Sequence, residues 1–182
     1  NNKTNSTATS LYGEDIRKAI DVMNRGGIIA YPTDTIWGLG CDATNADAVR
    51  RIYEIKRRDD SKALITLVDS EAKVEFYVKE VPEVAWQLIE VSDKPLTIIY
   101  DNARNLAPNL IAEDGSIAIR ITSEPFSREL CRRFKKAIVS TSANVSGEPS
   151  PKTFSGISSE ILNAVDYVCT SRHEENAPHT PS

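Results

Sequence analysis

Short apolar runs alternate along this chain with stretches in which apolar residues return every three or four positions, and few architectures accept that alternation. From Glu14 a helical pattern carries Ile16, Ala19, Ile20 and Met23, and Gly26-Gly27 stops it. Ile28 to Tyr31 then reads as a buried strand ended by Pro32. A second helix starts near Thr44 or Asn45, with Asp47 in its first turn, and ends near Arg58-Asp59-Asp60. Further strands are predicted at Ala63 to Val68, Leu96 to Tyr100, Ser116 to Thr122, Ala137 to Val139 and Tyr167 to Cys169. Further helices are predicted at Glu83 to Val91, through the basic stretch Phe126 to Lys136, and at Ser158 to Ala164. In the strand from Ser116, Ile117, Ile119 and Ile121 share one face, and Ala118, Arg120 and Thr122 share the other. Interleaving of this kind predicts one α/β domain over residues 11–170, built on a twisted sheet. Residues 1–10 read as a flexible polar arm. Residues 171–182 read as a loop or tail, expected to continue past the visible chain.

A length of 182 residues suits one domain with a core of its own. No apolar run approaches the roughly 20 residues that span a bilayer, and no charged-then-apolar leader opens the chain, so the reducing cytoplasm is the expected location. Cys41, Cys131 and Cys169 are too widely spaced for a disulfide framework or a zinc motif. The formal net charge of −4 argues against a dedicated nucleic-acid binder. The stretch Phe126 to Lys136 is one local basic candidate. On a helix, Phe126, Leu130 and Phe134 form its apolar stripe, and its basic groups form either a solvated face or an RNA-binding face.

Four segments carry residue types that are costly to place without purpose. Tyr31 to Gly40 follows a strand and holds hydroxyls, a carboxylate and two glycines. It is a ligand loop at a strand end or a tight turn that satisfies its own backbone. Lys56-Arg57-Arg58, with Lys62 nearby, is a polyphosphate-binding group or a helix end whose cations suit the macrodipole. Lys56 and Arg58 can converge only if the helix ends or loosens there. Ser140 to Gly147 packs four hydroxyls and one amide into a strand exit, where they cradle phosphate or form a Ser-rich turn. Arg120 sits alone on the non-Ile face of its strand, as a surface residue or as a fork for a substrate carboxylate. No G-x-G-x-x-G or Walker A pattern occurs, and no metal-ligand cluster is readable. His173 and His179 lie in the tail. An enzyme built from these parts works by positioning and charge stabilisation.

In order and spacing, residues 26–43 (GGIIAYPTDTIWGLGCDA), Lys56-Arg57-Arg58, Ile117 to Ile121 and Ser140 to Gly147 resemble the Sua5/YrdC/YciO family. The resemblance runs from about Gly26 to Pro151. It implies a single α/β domain with a twisted, mixed, open sheet, helices packed around it and a concave cavity. It also implies an activity: L-threonine, bicarbonate and ATP, with Mg2+, give threonylcarbamoyl adenylate and pyrophosphate. That product serves threonylcarbamoylation of adenosine 37 in tRNA through a downstream transferase complex. The family's Lys-x-Arg and Ser-x-Asn become catalytic candidates Lys56, Arg58, Ser142 and Asn144. The ATP side would take Arg58, Lys62, Ser116, Ser142 and Ser150. The threonine side would take Thr35, Arg120 and Ser140, with Arg120 facing the carboxylate. Alternatives within the resemblance are a YciO-type paralogue, or a double-stranded RNA or tRNA-binding factor without adenylate synthesis. Two departures stand out: Ser92-Asp93-Lys94-Pro95 keeps only the second proline of the family's Pro-Gly-Pro, and the chain stops where a further Ser/Thr segment would begin.

Overall fold

In the computed structural model, which describes residues 2–57 and 64–173 and side chains from Tyr12 onward, helix α1 (Asn2–Asn24) opens the chain. It covers the polar stretch that the sequence predicts as an arm. A turn at Gly26 leads into the strands β1 (Ile29–Pro32) and β2 (Trp37–Asp42), then helix α2 (Ala46–Lys56). Strand β3 (Ile65–Val68) and helices α3 (Glu71–Tyr77) and α4 (Glu83–Val91) precede strands β4 (Thr97–Tyr100) and β5 (Ile117–Ile121). Helix α5 (Pro125–Phe134), strand β6 (Ile138–Ser142), a short 3-10 helix (Phe154–Gly156), helix α6 (Ser159–Ala164) and strand β7 (Tyr167–Val168) complete the order. The strands make one seven-stranded open sheet in the order β4-β5-β3-β6-β2-β1-β7. The pairs β3–β5 and β1–β7 are parallel and the others antiparallel, so the sheet is mixed.

Local chemistry explains the boundaries. Asn45 caps α2 by accepting from the amides of Asp47 and Ala48. Arg57 ends the same helix in a left-handed conformation, φ 56 and ψ 43. Glu124 caps α5 in front of Pro125. The predicted stripe of Phe126, Leu130 and Phe134 is buried. Helices cover both faces of the sheet. Val49 and Ile52 of α2, Val74 and Tyr77 of α3 and Ala85 of α4 pack with Val68, Ile117, Ile119 and Val139. Ile16, Ala19 and Met23 of α1 pack with the α5 stripe, Leu67 and Ile138. Cys41, Cys131 and Cys169 are buried free thiols, and burial pushes each thiol pKa up. Among the described residues, no helix is long and apolar enough to cross a membrane.

Two expectations change. Residues 37–40, predicted as loop, belong to β2, and Ser140 to Ser142, predicted to follow a strand, belong to β6. The cause is mutual: Gly38 pairs with Ser142, Leu39 with Thr141 and Gly40 with Ser140, so each polar strand satisfies the other's backbone. Short-range pattern cannot reveal a partner about a hundred residues away. Helix α3 also goes unpredicted. It is brief, and its cap comes from the Ser70 side chain.

The glycines of β2 make room for one ring. A Cβ on Gly40 would stand 2.7 Å from a Tyr31 ring carbon and 3.2 Å from the Val139 carbonyl oxygen. Elsewhere the Asp15 carboxylate of α1 accepts from the Tyr167 hydroxyl at 2.6 Å, the Thr170 amide at 3.0 Å and the Ser171 hydroxyl at 2.5 Å. This ties α1 to the segment after β7. Burial acts to raise the Asp15 pKa, but the hydrogen bonds from Ser171, Tyr167 and Thr170 outweigh it and hold the carboxyl below its usual range.

Gly40→Ala is expected to lower stability by about 1–3 kcal/mol through overpacking against Tyr31. A chemical unfolding midpoint equal to wild type would contradict this. Asp15→Asn is expected to be less stable than wild type at neutral pH. A depressed folded pKa contributes stability above the unfolded value of about 3.9 and loses it as pH falls through the folded value. The gap between variant and wild type should therefore close below about pH 4, as read by unfolding midpoints across pH.

Candidate functional site

Strand register gathers the unusual residues along one edge and one face of the sheet. Ile65 lies opposite Ser140, Gly38 opposite Ser142 and Pro32 opposite Trp37. The carboxyl ends of β1 and β6 therefore meet the amino ends of β2 and β3, and parallel pairing brings the start of β5 to the same edge. Directly opposed residues point to one face. Tyr31, Gly38, Gly40, Ser140, Ser142, Leu67, Arg120 and Thr97 consequently share a face. Two glycines and two serines thin the side-chain layer there, and the Tyr31 ring lies over the glycines. Burial pushes the Tyr31 pKa up, which keeps its hydroxyl protonated.

Lys56 is the last residue of α2 and is buried, at 4% exposure. Its Nζ donates to the Ser142 carbonyl at 2.7 Å and the Asn144 carbonyl at 3.0 Å. It also reaches Asn144 Oδ1 at 3.1 Å and Ser142 Oγ at 3.3 Å. The amide of Ser146 returns a bond to the Lys56 carbonyl at 3.0 Å. Asn144 Nδ2 donates to the Glu148 carbonyl at 2.6 Å. Gly147, at φ +92, lets the loop turn back. Ala143 donates its amide to Trp37, and Trp37 donates its own to Pro151. The strand exit is thus a closed hydrogen-bonded loop drawn onto an ammonium. A cation beneath backbone dipoles favours an anion above them.

Arg120 occupies the same face. Its Nε donates to Thr97 Oγ1 at 3.0 Å and its Nη1 to Asp34 Oδ1 at 3.1 Å. Asp34 and Thr35 stand in the β1–β2 turn. Thr33 closes that turn by donating its hydroxyl to the Ile36 carbonyl at 2.5 Å and accepting from the Thr35 and Ile36 amides. Arg172 braces the turn from behind, donating to the Thr33 carbonyl at 3.1 Å and to Glu124 at 2.9 Å. Next to Trp37, the rings of Phe154 and His173 stack with centroids 3.7 Å apart, and Trp37 meets both edge-on.

Of the predicted tetrad, Lys56, Ser142 and Asn144 come together, while Arg58 lies outside the described residues, as does Lys62. Ser140 is buried on the shared face. Ser116 precedes β5 on the same edge, its hydroxyl bonded to Asp114 at 2.6 Å. Ser150 is exposed beside Pro151, whose carbonyl accepts from Trp37. Asp34, Thr97, Arg172 and the Glu148 carbonyl are the contributions that sequence reasoning missed. A carboxylate between two threonines at a strand exit was visible, but its pairing with Arg120 depends on sheet order.

Comparison with known proteins follows the same lines. A family model for Sua5, YciO and YrdC proteins, described as "Telomere recombination", matches residues 21–182. The threonylcarbamoyl-AMP synthase of Vibrio cholerae is 32% identical over 172 residues, 93% of this chain and 90% of the relative. That of Coxiella burnetii is 33% identical over 158 residues, 86% of this chain and 85% of the relative. Sua5 of P. abyssi, solved with L-threonine, superposes with a TM-score of 0.77 at 30% identity over 84% of this chain. The match spans 45% of that longer archaeal protein, under half its length.

Lys56→Met keeps bulk but leaves the oxygens of Ser142 and Asn144 without their donor. It is expected to cost about 1–3 kcal/mol or more, the range for stranded buried acceptors. Urea unfolding that matches wild type would show that the loop does not depend on the ammonium.

Proposed function

We infer that this chain, which belongs to the Sua5/YrdC/YciO family, makes threonylcarbamoyl-AMP and pyrophosphate from L-threonine, bicarbonate and ATP, for the threonylcarbamoyl modification of tRNA. The carrying observation is the Lys56 ammonium bonded to the Ser142–Asn144 loop, whose Ser142 shares a face with Ser140 and Arg120. Threonine's neutral amine attacks carbon dioxide and releases a proton to give the carbamate, or attacks bicarbonate, from which water leaves. A carbamate oxygen then attacks the α-phosphorus of ATP, and the bond to pyrophosphate breaks as the phosphoanhydride electrons leave with it.

Lys56, Ser142 and Asn144 have roles that their settings support. Lys56 acts largely through the loop: its protons go to protein oxygens, and its charge supports anionic phosphates over the strand exit. Ser142 offers a hydroxyl at the rim. Asn144 fixes the loop through both ends of its amide. Arg58, Lys62, Ser116 and Ser150 complete the ATP side, and Thr35, Arg120 and Ser140 the threonine side. Magnesium would travel with the ATP, held by its phosphates. Among the described residues, no group of three or more His, Cys, Asp or Glu comes together to hold a metal ion.

An RNA-binding role draws less support. On α5, Arg132 pairs with Glu129 and Arg133 donates to the Gly13 carbonyl, and Lys136, just beyond it, pairs with Asp42. Most of that basic stretch is engaged within the chain.

Incubation with threonine, bicarbonate, ATP and Mg2+ is expected to give pyrophosphate and a threonine-dependent adenylate by mass spectrometry. Folded protein that forms neither would refute the function. Lys56→Ala and Asn144→Ala should each lower turnover at least tenfold, about 1.4 kcal/mol. Wild-type rates in both would refute the site.

A further inference from the structure

The Asp34 carboxylate is half used. Its Oδ1 accepts from Arg120 Nη1 at 3.1 Å, while its Oδ2 is buried and has no hydrogen-bond partner among the described residues. Both side chains are shielded, at 12% exposure for Asp34 and 16% for Arg120. An Arg and a carboxylate that met only to stabilise each other would be expected to close a two-bond fork. Here Nε is committed to Thr97 Oγ1 at 3.0 Å, and a single bond reaches Asp34. Of the five N–H groups a guanidinium carries, these two have partners among the described residues. A buried anionic oxygen in want of a donor therefore lies beside a cation with donors to spare.

The two deficits are complementary. The pair can still take one cationic donor and one anionic acceptor, side by side. An α-amino acid in its zwitterionic form carries both, on one carbon. The backbone keeps the pair in place. Asp34 is held in the turn that Thr33 closes and Arg172 braces, and Arg120 is fixed by its strand and by Thr97.

We propose that Asp34 and Arg120 together read the zwitterion, Arg120 taking the α-carboxylate and Asp34 Oδ2 accepting from the α-ammonium. Asp34 is then the residue that selects a free amino group, and it positions the nitrogen that is to be carboxylated. A hydroxy acid with the same carboxylate brings its negative charge close to Asp34 with no ammonium to offset it. This inference rests on the proposed function, and it adds the amine contact to it.

The test is equilibrium binding of L-threonine and of 3-hydroxybutyrate, which keeps the carboxylate and hydroxyl but lacks the amine. Wild type is expected to bind threonine at least tenfold more tightly. Asp34→Asn should weaken threonine at least tenfold while leaving 3-hydroxybutyrate unchanged or improved, so that the ratio collapses towards one. An unchanged ratio overturns the proposal. So does tighter threonine binding by Asp34→Asn, which would make Asp34 an internal place-holder displaced by the substrate's carboxylate. Should the Asn variant fail to fold by circular dichroism, equal affinities in wild type overturn the proposal, as does Asp34→Ala with the wild-type ratio. Wild type that binds no threonine refutes the proposed function instead. Wild type whose preference ignores Asp34 refutes this inference alone.

Discussion

The ammonium of Lys56 joins parts of the chain that would otherwise have little reason to meet. Helix α2 packs against one face of the sheet, and its last side chain reaches round the edge to the exit of β6. Removing a charge from water is costly, and only a full set of oxygens makes that burial tolerable. Ser142 and Asn144 supply them, two from the backbone and two from side chains. The loop is fixed as a result. Through Ala143 and Pro151 it fixes the start of β2, and through β2 the turn that bears Asp34. The left-handed conformation of Arg57 ends α2 directly after Lys56.

Charge is divided between two stations, one at the exit of β6 and one on the face that Ser140 and Arg120 share. At one, a cation is sunk beneath a loop and presents itself through dipoles. At the other, a shielded guanidinium and carboxylate are braced by Thr97 and the Thr33 turn. The division suits a reaction that joins a polyanion to a small zwitterion. Each partner meets a station of complementary charge, and the face between them bears the Ser140 and Ser142 hydroxyls and the two glycines under the Tyr31 ring.

Much of the architecture was legible because helices announce themselves locally. The Asn45 cap, the α5 stripe and the stop at Gly26-Gly27 are all written in neighbouring residues. Strands built from polar residues were not. Nothing in Ser140-Thr141-Ser142 says strand until Gly38-Leu39-Gly40 lies alongside. The site showed the same split. Lys56, Ser142 and Asn144 were found because residue type and spacing resembled a known family, whereas Asp34 was passed over as one polar member of a turn. Its meaning depends on Arg120, which only the order of seven strands brings across.

The Tyr31 ring and the two glycines of β2 have a consequence for how this surface can drift in evolution. Position 40 excludes a side chain because of the Tyr31 ring and the close Val139 carbonyl, whereas position 38 is closed by the Thr141 carbonyl and the Thr33 methyl. A smaller residue at 31 would lift part of that exclusion, and a bulkier one at 40 would demand it. Positions 31 and 40 are therefore expected to change as a pair, and a single replacement would fail where the paired one survives. Such epistasis would leave a trace of covariation in relatives, unrelated to substrate chemistry, on the very face where covariation is otherwise read as specificity.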